Sequence, residues 1–99
     1  MKTSLLVNNR VVPLNDFTQN YIANVLCAIA RSLGYNPRNV TICIEYDELR
    51  IYTENGEIDI KKDFAKTLIQ NTLKGMLSPL KGILWFQKIT ITANAGKEL

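Results

Sequence analysis

The feature that most constrains this chain is an internal likeness at an offset of 47 residues. Moved along by that distance, Asn8 to Leu33 lands on Asn55 to Leu80. Seven of the 26 positions then coincide: Asn8/Asn55, Asp16/Asp63, Phe17/Phe64, Ile22/Ile69, Asn24/Asn71, Leu26/Leu73 and Leu33/Leu80. Others keep their character, as in Val11/Ile58, Ala28/Gly75 and Ile29/Met76. A repeated unit of this length is one supersecondary element, which buries its apolar face against its neighbour. We read an internal duplication, with pseudo-repeats over 3–46 and 48–93 of a single domain spanning residues 1–99.

The local patterns give each unit the same order. Ser4 to Val7 alternates as a strand, Asn8-Asn9 suits a tight turn of positive φ, and Arg10 to Leu14 forms the returning strand. The second unit has Leu49 to Thr53, Asn55-Gly56 at the turn and Glu57 to Ile60. Asn15 or Asp16 caps a helix that runs to about Leu33, with Gly34 just beyond it. A second helix runs from about Asp63 to Leu77 or Ser78, ahead of Pro79. A strand closes each unit, Val40 to Tyr46 and Gln87 to Ala93, and the tail from Asn94 frays.

Period-2 alternation points to an antiparallel sheet with one dry face. Its inward positions are Val40, Ile42, Ile44 and Tyr46; Leu49 and Ile51; Ile58 and Ile60; Ile89 and Ile91. The fold class expected is α+β: two layers, an antiparallel sheet with two helices on one face, in the order ββαβ-ββαβ. One pseudo-two-fold solution pairs the last strand with the first as the third pairs with the fourth. Each half resembles part of the β-grasp arrangement in topology, which implies no function.

Charge separates along the chain. From Glu45 to Asp59 there are six acids and one base, Arg50; from Lys61 to Lys97 there are seven lysines and one acid, Asp63. The apolar runs are far shorter than the roughly 20 residues of a membrane span. Leu5-Leu6-Val7 is too short for a signal peptide, so a cytoplasmic protein with no membrane partner is expected. Cys27 and Cys43 sit among apolar neighbours and read as buried hydrophobes.

Function is sought where the two units differ. At about 100° per residue, Tyr21, Ile22, Val25, Leu26, Ile29 and Leu33 form the expected core arc of the first helix. Leu68, Ile69, Leu73, Met76 and Leu80 form that of the second. Beside this arc the first helix carries Ala23, Cys27 and Ala30, where the second has Gln70, Lys74 and Leu77. A helix apolar on most sides is covered on most sides, so Ala23, Cys27 and Ala30 are a candidate homodimer contact, alternatively covered by the chain itself. Trp85 and Phe86, in the apolar run Ile83-Leu84-Trp85-Phe86 that stands where the first unit has Tyr35-Asn36-Pro37-Arg38, are a second candidate anchor, alternatively a plug closing one end of the core.

Chemistry is harder to find. There is no histidine, no glycine-rich phosphate loop and no nucleophile with a base beside it. We therefore expect no enzyme, no catalytic or metal-ligating residue and no cofactor. Lys66, Lys74, Lys81 and Lys88 form a candidate basic patch for nucleic acid. The wet sheet face offers only Tyr52 for stacking, and the acidic hairpins oppose phosphate, so nucleic acid is the weaker reading. The expected function is a non-enzymatic protein-interaction or self-assembling homodimeric module, with itself or another protein as partner. The alternatives are nucleic-acid binding and small-ligand binding.

Overall fold

A computed structural model describes residues 2–46, 48–80 and 88–94. It has eight elements: β1 (Lys2–Val7), β2 (Arg10–Val11), α1 (Asp16–Ser32), β3 (Asn39–Glu45), β4 (Glu48–Thr53), β5 (Gly56–Ile58), α2 (Asp63–Leu77) and β6 (Lys88–Asn94). The strands form one six-stranded antiparallel sheet in the order β2-β1-β6-β3-β4-β5. The α+β class and the order of elements are those expected. Asn94 belongs to β6.

The strand order is unchanged on reversal when β1, β2 and β3 exchange with β4, β5 and β6. This is the symmetric pairing anticipated, β1 with β6 as β4 with β3. Each half therefore gives its last strand to the other half, and the β-grasp likeness does not hold. The register relates Leu5↔Ile91 to Leu49↔Ile44 and Val7↔Ile89 to Ile51↔Ile42. Leu5 thus corresponds to Leu49, so the offset of 47 is lost in the hairpins. The first turn is Asn8-Asn9, both at positive φ; the second is Glu54-Asn55, with only Gly56 at positive φ, a turn closed by a glycine bulge. Asn8 and Asn55 are not at equivalent places.

β2 is shorter than expected and stops at Val11, ahead of Pro13, which has no N–H to donate to a ladder. The dry face of the sheet carries Leu5, Val7, Val40, Ile42, Ile44, Leu49, Ile51, Ile58, Ile89, Ile91 and Ala93. Tyr46 does not join them. It follows β3 with φ 51° and is exposed, so its alternation with Ile44 is broken by the turn.

Local chemistry fixes the helices. The Asn15 side chain accepts from the Thr18 N–H at 2.8 Å, a cap as expected. Gly34 has φ 95° past the end of α1. The N-cap of α2 is Lys62, which supplies no side-chain cap. The Thr3 hydroxyl donates to the Gln19 carbonyl at 2.7 Å and the Gln19 amide donates to the Leu14 carbonyl at 3.1 Å, which pins the start of α1 to β1.

The helices lie rotated from the expected arcs. The residues of α1 turned into the core are Ile22, Ala23, Leu26, Cys27 and Ala30; those of α2 are Ile69, Leu73 and Leu77. Ala23, Cys27 and Ala30 are therefore covered by the chain's own sheet and are not a subunit contact, a correction with a steric cause. Small side chains bring α1 down onto β1, β6 and β3, with Cα atoms of helix and strands within 8 Å. α2, which has Leu77 in place of Ala30, makes fewer such close approaches to the strands. Both helices thereby turn other apolar residues outward.

Candidate functional site: the outer helix layer

The outward residues of α1 include Phe17, Tyr21, Asn24 and Ala28, and those of α2 include Phe64, Leu68, Asn71 and Gly75. Four of them are large apolar groups left in water: Phe17 is 74% exposed, Phe64 76%, Tyr21 52% and Leu68 55%. Phe17 and Tyr21 touch, with ring centroids 5.9 Å apart. Isolated exposed apolar residues are ordinary; these four form two pairs at opposite ends of one face, Phe17 with Tyr21 and Phe64 with Leu68. No charged residue occurs in α1 between Phe17 and Ala30, and the two lysines of α2, Lys66 and Lys74, are half-buried on its flanks. The exposed charges of the layer, Asp16, Arg31 and Asp63 with Lys62 at the N-cap of α2, stand at helix ends. Depletion of charge with retention of aromatics is the composition of an interface core.

Between the helices lie two apolar hollows of about 360 and 410 Å³. The first joins the N-terminal half of α1 to the C-terminal end of α2; the second joins the opposite halves, so the helices run antiparallel. Their linings correspond at the 47-residue offset. Thr18, Tyr21 and Ile22 of the first answer to Ala65, Leu68 and Ile69 of the second, and Gly75, Met76 and Leu80 answer to Ala28, Ile29 and Leu33. Among the described residues, the lining hydroxyls are Thr18 and the Tyr21 phenol in the first and Ser32 and Thr72 in the second. Thr72 already donates to the Leu68 carbonyl at 2.8 Å.

The open face of the sheet has another character. Thr41, Cys43, Thr90 and Thr92 fill its middle, with the Cys43 Sγ 3.8 Å from the Thr90 Oγ1. Cys43 is half-buried there, whereas Cys27 is buried as expected. Glu45, Tyr46, Glu48, Arg50 and Tyr52 border a shallow hollow, so Tyr46 adds a second tyrosine near Tyr52. Its charges largely answer one another: Arg50 lies 3.5 Å from Glu48, and the hydrogen bond it donates to the Tyr52 side chain, then the Glu48 charge, hold its pKa above the ordinary value. Glu54 accepts from the backbone N–H groups of Arg38 and Asn39 at 3.0–3.1 Å, and these bonds hold its carboxyl below the usual range.

Three of the four lysines expected to form a basic patch, Lys66, Lys74 and Lys88, lie within the described residues. Lys66 and Lys74 lie on α2, and Lys66 shares a hollow with Glu48, Glu57 and Asp59. Lys88 lies on the opposite layer, in register with Glu45. Lys81, Trp85 and Phe86 fall outside the described residues. Among the described residues, no group of three His, Cys, Asp or Glu is placed to hold a metal, and no helix is long and apolar enough to cross a membrane.

The sequence reading missed Phe17, Tyr21, Phe64 and Leu68 as surface groups. One signal was present: Phe17 and Phe64 are identical between the units yet lie outside the core arc. Searches of protein-family models, of curated proteins and of solved structures find no match to this chain.

Proposed function

We propose that the chain is a non-enzymatic interaction module that self-associates through its outer helix layer. The observation that carries this is two exposed apolar pairs, Phe17 with Tyr21 and Phe64 with Leu68, at opposite ends of one face whose centre has no exposed charge. Removing such groups from water contributes about 25 cal/mol per Å² of apolar area. The molecule is a plate of 37 × 34 × 19 Å, thin across its two layers, so a broad face offers on the order of 1,000 Å². A stable dimer needs about 800 Å² from each partner. The same two-fold arrangement of sheet and hollows supports descent from a duplicated ββαβ unit.

Sedimentation of the full chain from about 1 to about 500 µM, a range covering dimers of ordinary affinity, tests the proposal. We expect a reversible monomer–dimer equilibrium that Leu68→Glu shifts to monomer while the circular dichroism stays native. A monomer throughout would reject it. Lys88, on the layer opposite Lys66 and Lys74, weighs against the nucleic-acid alternative. The apolar hollows favour a second reading, in which they hold a small apolar ligand. A rise in melting temperature with such a ligand, at a concentration where the chain is monomeric, would favour that reading.

A further inference from the structure

We infer that Asn55 is a site of covalent modification: it loses its side-chain amide through a cyclic imide with Gly56, leaving aspartate or isoaspartate in the turn between β4 and β5. The only co-reactant is water. The Gly56 nitrogen attacks the Asn55 side-chain carbonyl carbon, and the new C–N bond closes a five-membered ring. The Gly56 proton passes to the departing nitrogen as the old C–N bond breaks, and ammonia leaves. Water then opens the ring at one of its two carbonyls. Opening at the side-chain carbonyl gives aspartate. Opening at the main-chain carbonyl routes the backbone through the side-chain carbon and gives isoaspartate. One water is taken up, one ammonia is released, and nothing is oxidised or reduced.

Three observations carry it. First, the nucleophile is unhindered. A side chain on the residue after asparagine crowds the attacking nitrogen, and glycine has none. In this chain only Asn55 precedes a glycine. A Cβ added at Gly56 would meet nothing within 4 Å, so no neighbouring group shields the position either. Asn36 precedes proline, whose nitrogen has no proton to give up. Asn20, Asn24 and Asn71 are held in helices, and Asn39 and Asn94 in strands.

Second, the electrophile is in water and untethered. Asn55 is exposed. Its main-chain N–H donates to the Thr53 Oγ1 at 3.1 Å, whereas its side-chain amide has no hydrogen bond among the described residues. The Asn15 side chain, by contrast, is held by the Thr18 N–H.

Third, the turn can rotate into the reactive shape. Attack needs the Gly56 nitrogen to swing toward the Asn55 side chain. β5 is three residues long and forms one edge of the sheet, paired with β4 alone among the described strands. A short edge hairpin opens locally at far less cost than the whole fold. Gly56, with φ 115°, is freer than any other residue type to leave and regain its conformation. The product then places a carboxylate between Glu54 and Glu57, and isoaspartate adds a methylene to the main chain beside Gly56, opposite Thr53 in the ladder.

The test incubates the full wild-type chain in warm neutral buffer beside a free peptide of residues 52–58, which measures the unrestrained reaction. Proteolytic fragments are followed by mass spectrometry for the mass gain of an amide turned to an acid, and isoaspartate is read by enzymatic methyl transfer. By the time the free peptide has fully reacted, we expect the folded chain to be modified at Asn55 ahead of every other asparagine, with isoaspartate beside aspartate. Asn55→Gln, which would need a larger ring, should show no gain at this position, and circular dichroism before incubation checks that it is folded. Intact Asn55 at that time, an earlier loss at another asparagine, or aspartate without isoaspartate overturns the inference.

Discussion

Ala30→Leu is expected to destabilise the fold itself. Ala30 is wholly buried in the core cluster, on the helix that lies within 8 Å of three strands. The corresponding position on α2 is Leu77, also wholly buried, where the helix makes fewer close approaches to the strands. Leucine at position 30 would drive extra carbons into a space closed by the sheet. Overpacking of this kind costs about 1–3 kcal/mol. For a domain of this size each kcal/mol lowers the melting temperature by about 4–8 °C, so a cost near 2 kcal/mol gives a fall of about 8–16 °C. The assay is urea denaturation followed by circular dichroism, repeated at tenfold lower protein concentration. The comparison matters because association adds a concentration-dependent stabilisation. The loss should be the same at both concentrations. Stability unchanged within about 0.5 kcal/mol would show that α1 has room beneath it and refute the close-approach argument.

Three further outcomes follow from local chemistry. Asn15→Ala should cost about 0.5–2 kcal/mol by removing the cap on Thr18, whereas Lys62→Ser should stabilise α2 by several tenths to about 1 kcal/mol, both read by urea denaturation. Glu54, whose carboxyl titrates below its ordinary value because it accepts the N–H groups of Arg38 and Asn39, should stabilise the fold fully above the unfolded carboxylate range. That contribution is lost as pH falls through the depressed folded value, so Glu54→Gln should be less stable than wild type at neutral pH and converge on it in acid. A stability difference that stays constant with pH would show that the charge plays no part.

Some of this structure was legible in the sequence for identifiable reasons. Alternation along Val40 to Ile44 and Ile89 to Ile91 marks the dry face because a strand has only two faces to choose between. Asn15, Gly34 and Pro79 mark helix ends because each acts through its own backbone or side chain. Helix rotation was not legible. α1 is apolar on two sides, and periodicity alone does not say whether the sheet takes Ala23, Cys27 and Ala30 or Tyr21, Val25 and Ile29. Packing decides it, since the small side chains permit the closer approach. The exposed ring of Phe17 follows only once that choice is made. The hairpin offset escaped for a related reason: the match of Asn8 with Asn55 is local, whereas register is set by the cross-strand pairs of β1 and β4.

The most direct test of the central claim is the concentration dependence of the amide and methyl NMR spectrum of the unmodified chain. On dilution through the dimer–monomer transition, we expect the signals of Phe17, Tyr21, Ala28, Phe64 and Leu68 to shift together along one binding curve. Those of Thr41, Thr90 and Thr92 on the open sheet face should stay in place. Shifts confined to the open sheet face, with the helix layer unmoved, would contradict the account.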